Sequence, residues 1–193
     1  MARPRKFEEE AAVAAARTAF RRTGYAGTSL SDLVEATGLG KGSLYNAFGD
    51  KEEIFERAFD GYCAEADAAT DEAFRRAAGL AAALGYLDQV TGDTIADREH
   101  VGCMISKATA ELAVSSEAVV ERASRTLHHV EDRLACSLAR ARDDGEIDKD
   151  TDPRDLARLL LAVTRGIEAL GKAGYSAEEL RSVESAAARV LGG

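Results

Sequence analysis

The sequence predicts an all-α protein, and three observations carry that prediction. Apolar residues recur at three- and four-residue spacings along most of the 193 residues. Glycines or polar clusters stand where those runs stop, and no run of alternating β-branched residues suggests a strand.

The first helix is expected between Phe7 and Arg22. Ala12, Val13, Ala16 and Phe20 form its apolar stripe, and Gly24 stands where a helix of that length ends. Glu8, Glu9 and Glu10 fall in its expected first turn, where the positive end of the helix dipole favours them. Ser29 can cap a second helix, with Asp32 three residues on as the reciprocal acid. Leu30, Leu33 and Val34 face inward, and Gly38 stops this helix after about two turns. After the tight Leu39-Gly40 connection, a third short helix spans about Lys41 to Phe48, with Leu44 and Phe48 one turn apart on its buried side. Gly49 ends it. Asp50 and Glu53 repeat the cap-and-acid spacing and open a longer helix carrying Ile54, Phe55, Ala58, Phe59 and Tyr62.

Beyond about Ala66 the helices lengthen and become alanine-rich, so a second domain is expected there, dividing the chain into residues 1–65 and 66–193. Leu80, Leu84 and Leu87 mark one helix, and Cys103 to Ala113 another. Val120, Ala123, Leu127, Val130, Leu134 and Ala141 keep heptad-like spacing up to Asp143-Asp144-Gly145. Asp152-Pro153 is a cap with proline at the first helical position, ahead of Leu156, Leu159, Leu160, Val163, Ile167 and Leu170. The last helix pairs Ser176 with Glu179, then presents Leu180, Val183, Ala187, Val190 and Leu191.

Composition narrows the class. With 46% hydrophobic and 31% charged residues and two prolines, the chain is neither collagen-like nor disordered. Its longest stretch without a charged residue or histidine, Ala77 to Leu87, falls short of the roughly 18 residues a membrane-spanning helix requires. The amino terminus has no apolar leader, and three widely spaced cysteines suit neither a disulfide framework nor a zinc site. A cytoplasmic protein with no membrane partner, no metal and no cofactor is therefore expected. The net charge of −9 argues against nucleic acid as a partner, but it is unevenly distributed. Up to Lys51, eight basic residues outnumber six acidic ones, so that segment carries +2 and the remainder −11. Such asymmetry can present a basic face on an otherwise acidic molecule.

The informative unit is Ser29 to Phe48. A helix can enter the major groove of DNA only if its outward side chains are polar and its opposite side is anchored. Here Leu44 and Phe48 anchor, while Lys41, Ser43 and Asn46 point away. Gly42 costs about 1 kcal/mol relative to alanine within a helix; it either eases the turn or lets the backbone approach a ligand closely.

The pattern Phe20, Gly24-Tyr25, Thr28-Ser29, then the unbroken run Gly38-Leu39-Gly40-Lys41-Gly42-Ser43-Leu44-Tyr45-Asn46-Ala47-Phe48-Gly49-Asp50-Lys51-Glu52 resembles the amino-terminal DNA-binding domain of the tetracycline-repressor (TetR) family. The resemblance covers about the first 60 residues. It implies an amino-terminal helix-turn-helix DNA-binding domain followed by a helical ligand-binding and dimerisation domain. It further implies a homodimer whose recognition helices enter successive major grooves of a double-stranded operator, and a small-molecule effector whose binding releases it. Carried onto this sequence, Lys41, Gly42, Ser43 and Asn46 would meet bases or nearby phosphates. Tyr45 and Lys51 would hold the DNA backbone, and Thr28 and Ser31 would add further contacts. Arg3, Arg5 and Lys6 would form a basic arm or a solvated tail. The sequence departs from the family pattern at Gly40, which stands where a capping serine is common, and at Ala47, which offers only a methyl group.

In the second half, Gly102-Cys103-Met104-Ile105 resembles a Gly-Cys element of one branch of the family. Cys103 is thus a candidate sensor of oxidants or electrophiles, or else a small core residue; His100 and Lys107 could lower its pKa if they reach it. His128 and His129 are adjacent, which is poor chelating geometry, and they read as surface residues. The last two helices are expected to form the dimer bundle. No phosphate-cradling loop, spaced metal set or nucleophile-base pair suggests an enzyme, and no catalytic residue is expected. The alternative to a transcriptional repressor is a helical adaptor that keeps the DNA-binding shape and binds another protein.

Overall fold

The computed structural model describes the backbone of residues 3–192 and the side chains from residue 9 onward, so the side chains of Arg3, Arg5 and Lys6 lie outside the described residues. Every regular element among the described residues is a helix, and none is a strand. In order the helices are α1 (Arg3–Gly27), α2 (Leu30–Thr37), α3 (Lys41–Phe48), α4 (Lys51–Arg76), α5 (Gly79–Ala96), α6 (Met104–Leu112), α7 (Glu117–Asp143), α8 (Pro153–Lys172) and α9 (Ala177–Gly192). None of them is long and apolar enough to cross a membrane.

The chain packs as two units. One comprises the residues up to Glu65 together with Cys103–Ser124, and the other Ala66–Gly102 with everything from Arg125 on. Helix α6 thus joins α1 to α4 even though the chain reaches it only after passing through the second unit.

In the first unit, the elements begin and end for local reasons. Gly24 leaves helical geometry (φ 79°, ψ −179°) and kinks α1 at the position its spacing predicts. The helix starts earlier than expected, at Arg3, which moves Glu8–Glu10 into its second turn; its first turn holds no acid. Ser29 closes a full capping box: its N–H donates to Asp32 Oδ2 (2.7 Å) and its Oγ accepts from the Asp32 N–H (3.2 Å). Gly38 ends α2 in the left-handed region (φ 68°), its N–H donating to the Val34 carbonyl. Gly40 precedes α3 without a side-chain cap. At α4, Asp50 Oδ1 accepts from the N–H groups of Glu52 and Glu53.

The core of this unit is aromatic. Phe20 and Phe55 meet edge-on with ring centroids 5.0 Å apart, Phe59 stacks on Phe55 at 5.8 Å, and Tyr25 meets Phe55 edge-on at 5.2 Å. Leu33, Leu44 and Phe48 are buried with them.

In the second unit, Leu87, Leu134, Leu138, Leu160 and Ile167 form a continuous apolar core with Ala83, Ala141 and Ala157. The buried face of α7 differs from the expected stripe at its start. Val119 is buried and Val120 exposed, the buried face running through Val119, Ala123, Thr126 and Val130 at four- and three-residue steps. Glu146 caps α5 by accepting from the Leu80 N–H (2.7 Å), and Asp152 caps α8 ahead of Pro153.

Phe20 is fully buried in the aromatic cluster, against Tyr25 and Phe55. Phe20→Ala is expected to cost about 3–5 kcal/mol of stability, read as a lower urea midpoint for loss of helical circular dichroism; an unchanged midpoint would contradict this packing.

Candidate functional site

The outer face of α3 is open. Lys41, Gly42, Ser43, Tyr45 and Asn46 are exposed, Tyr45 at 43%, while Leu44 and Phe48 are buried on the opposite side. An eight-residue helix thereby presents one cation, two hydroxyl groups and one carboxamide on a single solvent-facing surface. Gly42 has an ordinary negative φ, and a Cβ placed there would meet nothing within 4 Å. Neither backbone geometry nor packing within the protein demands glycine at this position. Ala47, half-buried, adds only its methyl group.

Around this face the expected residues divide. Ser31 is exposed in the first turn of α2. Lys51 is half-buried, its ammonium 4.3 Å from the centre of the Tyr25 ring. Burial first, and then the nearby carboxylates of Glu52 and Asp50, raise the pKa of Tyr25 and keep its phenol neutral. Thr28 departs from expectation. It is 0% exposed, its hydroxyl donates to the Gly24 carbonyl (2.6 Å) and shares a 2.7 Å hydrogen bond with Thr23. The one hydroxyl proton is spent on the Gly24 carbonyl and the side chain is closed off from solvent, so it cannot donate to an outside phosphate, and Thr28 fastens the α1–α2 turn instead.

The three residues expected around the thiol site serve different contacts. Cys103 is buried at the N-cap of α6, where it accepts a weak 3.9 Å hydrogen bond from the Tyr62 hydroxyl. Burial, then the Cys103 sulfur, hold the Tyr62 phenol well above its ordinary pKa. Lys107 donates its ammonium to the carbonyls of Arg21 and Arg22, at 2.6 and 2.9 Å. His100, at an unusual positive φ of 51°, sets its Nδ1 2.9 Å from the Gly171 carbonyl.

Other contacts escaped sequence reasoning because their partners lie far apart in the chain. Glu111 accepts from the Ala26 N–H (2.7 Å) across 85 positions. Arg17 pairs with Glu65 at 2.8 Å. No spacing signal announces either one. His128 is exposed, whereas His129 is half-buried with its Nε2 3.1 Å from Asp71 Oδ1. In the second unit, α8 and α9 flank an open apolar groove of about 330 Å³, lined by Leu156, Leu159, Leu160, Val183, Val190 and Leu191. Leu159 and Val190 remain 47% and 62% exposed on its rim.

Comparison with known proteins bears on both units. Residues 12–58 match the family described as bacterial regulatory proteins, tetR family. Residues 80–187 match the tetracyclin repressor-like, C-terminal domain family. The chain is 31% identical over 193 residues to the HTH-type transcriptional repressor ComR of Escherichia coli (strain K12), covering 97% of this chain and 90% of that protein. A TetR transcriptional regulator from Chloroflexus aurantiacus J-10-FL superposes with a TM-score of 0.84 at 28% identity, over 98% of this chain and 96% of that one. The TetR family regulator CifR, solved as a cysteine mutant with 26 bp double-strand operator DNA, superposes with a TM-score of 0.80 at 26% identity, over 93% and 94% of the two chains.

The Tyr62 environment has a consequence for stability in alkali. Because the folded phenol titrates above its ordinary value of 10.0, the unfolded chain releases that proton first, and stability falls as pH rises past the ordinary value. Urea titrations from about pH 8 to about pH 11 are expected to show this decline in the parent and a shallower one in Tyr62→Phe; parallel curves would refute the assignment.

Proposed function

This chain belongs to the TetR family of bacterial regulatory proteins, which are DNA-binding transcriptional regulators, and we propose that it acts as a homodimeric repressor that an effector releases from its operator. The observation that carries the proposal is the outer face of α3, polar and exposed over a buried apolar back. On this reading the Asn46 carboxamide pairs with a base edge, and Lys41 and Ser43 reach bases or phosphates. Gly42 lets the helix backbone come close to the duplex, which fits a glycine that nothing inside the protein requires. Tyr45, Lys51 and Ser31 hold the phosphate backbone; Thr28 has no part in the contact.

The groove between α8 and α9 supports the dimer. Its rim leaves leucine and valine side chains open to water, and a second copy of the same two helices would cover them in the self-complementary manner of a two-fold interface. Two recognition helices would then read half-sites about 34 Å apart, or a multiple of that distance. Release follows either a small apolar molecule lodged among the helices or chemical modification of Cys103, whose position at the head of α6 puts any change in the thiol at a helix terminus. Such a protein works in the cytoplasm, where the chromosome is.

In a gel-shift assay on operator fragments selected from the genome, Asn46→Ala is expected to weaken binding and blur base preference. Lys41→Ala should weaken binding to all sequences and lower the slope of log affinity against log salt by about one. Binding of parental strength in both variants would remove α3 as the reader, and salt-independent binding would favour the adaptor. For the dimer, Leu159→Glu with Val190→Glu is expected to halve the mass measured by light scattering without loss of helix content; an unchanged mass would move the interface elsewhere.

A further inference from the structure

The kink in α1 is bridged by a second element. In a straight helix the Ala26 N–H would donate to the Arg22 carbonyl. With Gly24 out of helical conformation, each of those groups is met by a charged side chain of α6. The Ala26 N–H donates to Glu111 Oε2 at 2.7 Å, and the Arg22 carbonyl accepts from Lys107 Nζ at 2.9 Å, with the Arg21 carbonyl accepting from the same ammonium at 2.6 Å. Charge and polarity match, with a cation on the carbonyl end of the helix segment and an anion on the N–H that follows the break. Gly24 also leaves room for the contact, since a Cβ there would lie 2.1 Å from Glu111 Oε1.

The pair does little for its own helix. Lys107 precedes Glu111 by one turn, the order that opposes the dipole of α6 and makes the weaker of the two possible i, i+4 pairs. Its arrangement suits α1. The turn it grips leads directly into α2 and α3, and Thr28 ties that turn back to the Gly24 carbonyl. The chain enters α6 straight from the other unit, at the boundary between Gly102 and Cys103, and Cys103, Lys107 and Glu111 recur at four-residue intervals along one face of the helix.

We propose that Lys107 and Glu111 are positioning residues for DNA reading: together they replace the broken hydrogen bond of α1 and set the direction in which α2 and α3 leave it. A displacement of α6 along its axis breaks both contacts at once. This inference rests on the reading of α3 as the DNA-contacting helix.

The test compares Lys107→Met, Lys107→Arg, Glu111→Ala and Glu111→Gln in the full-length protein. Hydrogen bonds to charged groups are strong enough that losing either contact is expected to lower operator affinity about tenfold or more, while affinity for unrelated DNA is unchanged. Arginine can still donate to both carbonyls and glutamine can still accept, so those two variants are expected to stay near the parent. Amide hydrogen exchange supplies a readout that needs no DNA: Ala26 and the α2–α3 amides should exchange faster in Lys107→Met and Glu111→Ala alone. Parental affinity and exchange in those two variants would overturn the proposal, and so would equal losses in the conservative and non-conservative variants accompanied by a lower melting temperature. If the parent itself binds no operator, the functional reading fails and the exchange arm alone decides the clamp.

Discussion

Two eight-residue helices are too short to persist by themselves in water, where an isolated helix needs about 12–15 residues to be even marginally stable. Everything this chain presents to a partner therefore depends on anchoring α2 and α3. Leu33, Leu44 and Phe48 provide it by burial in a core whose centre is Phe20 against Phe55. The caps at Ser29 and Gly38 keep α2 from fraying. With apolar residues confined to one side, the opposite side of α3 is left to polar groups, and a scaffold stabilised from within can display a surface chosen for something outside.

That division also explains how an acidic protein can have a polyanionic partner. The chain carries −9 overall, yet its first 51 residues carry +2. The acids nearest the candidate surface are partly committed to local work: Asp32 closes the cap of α2, where hydrogen bonds from the Ser29 backbone and then its side chain hold the Asp32 carboxyl below its ordinary pKa. Glu53 accepts from the Asp50 N–H at the start of α4. A carboxylate already satisfied by backbone N–H groups at a helix start has part of its charge offset by the helix dipole, so it opposes a phosphate less than an isolated acid would.

Much of the fold was legible because it is written in neighbouring residues. Ser29 with Asp32, Asp152 with Pro153 and Ser176 with Glu179 each mark a helix start within four positions, Gly38 and Gly49 each mark an end, and Gly24 marks the kink in α1. The outward residues of α3 could be read in the same way, since a helix with two buried positions one turn apart has a determined opposite face. Thr28 was not legible. Its type and place suit a phosphate contact as well as a buried turn, and only the proximity of the Gly24 carbonyl and Thr23 distinguishes them.

The helical class, the caps and breaks, and the polar face of α3 can be read from residue order alone, because each follows from periodicity or from bonds between residues a few positions apart. The tertiary structure alone decided that α6 packs with the amino-terminal helices, that Lys107 and Glu111 meet the two sides of the kink in α1, and that α8 and α9 leave an apolar groove open. These arrangements join residues up to 86 positions apart, and no local pattern encodes them. A charged side chain on a helix surface has the same local sequence whether it faces water or the broken end of another helix, and only the packing of the whole chain settles which it meets.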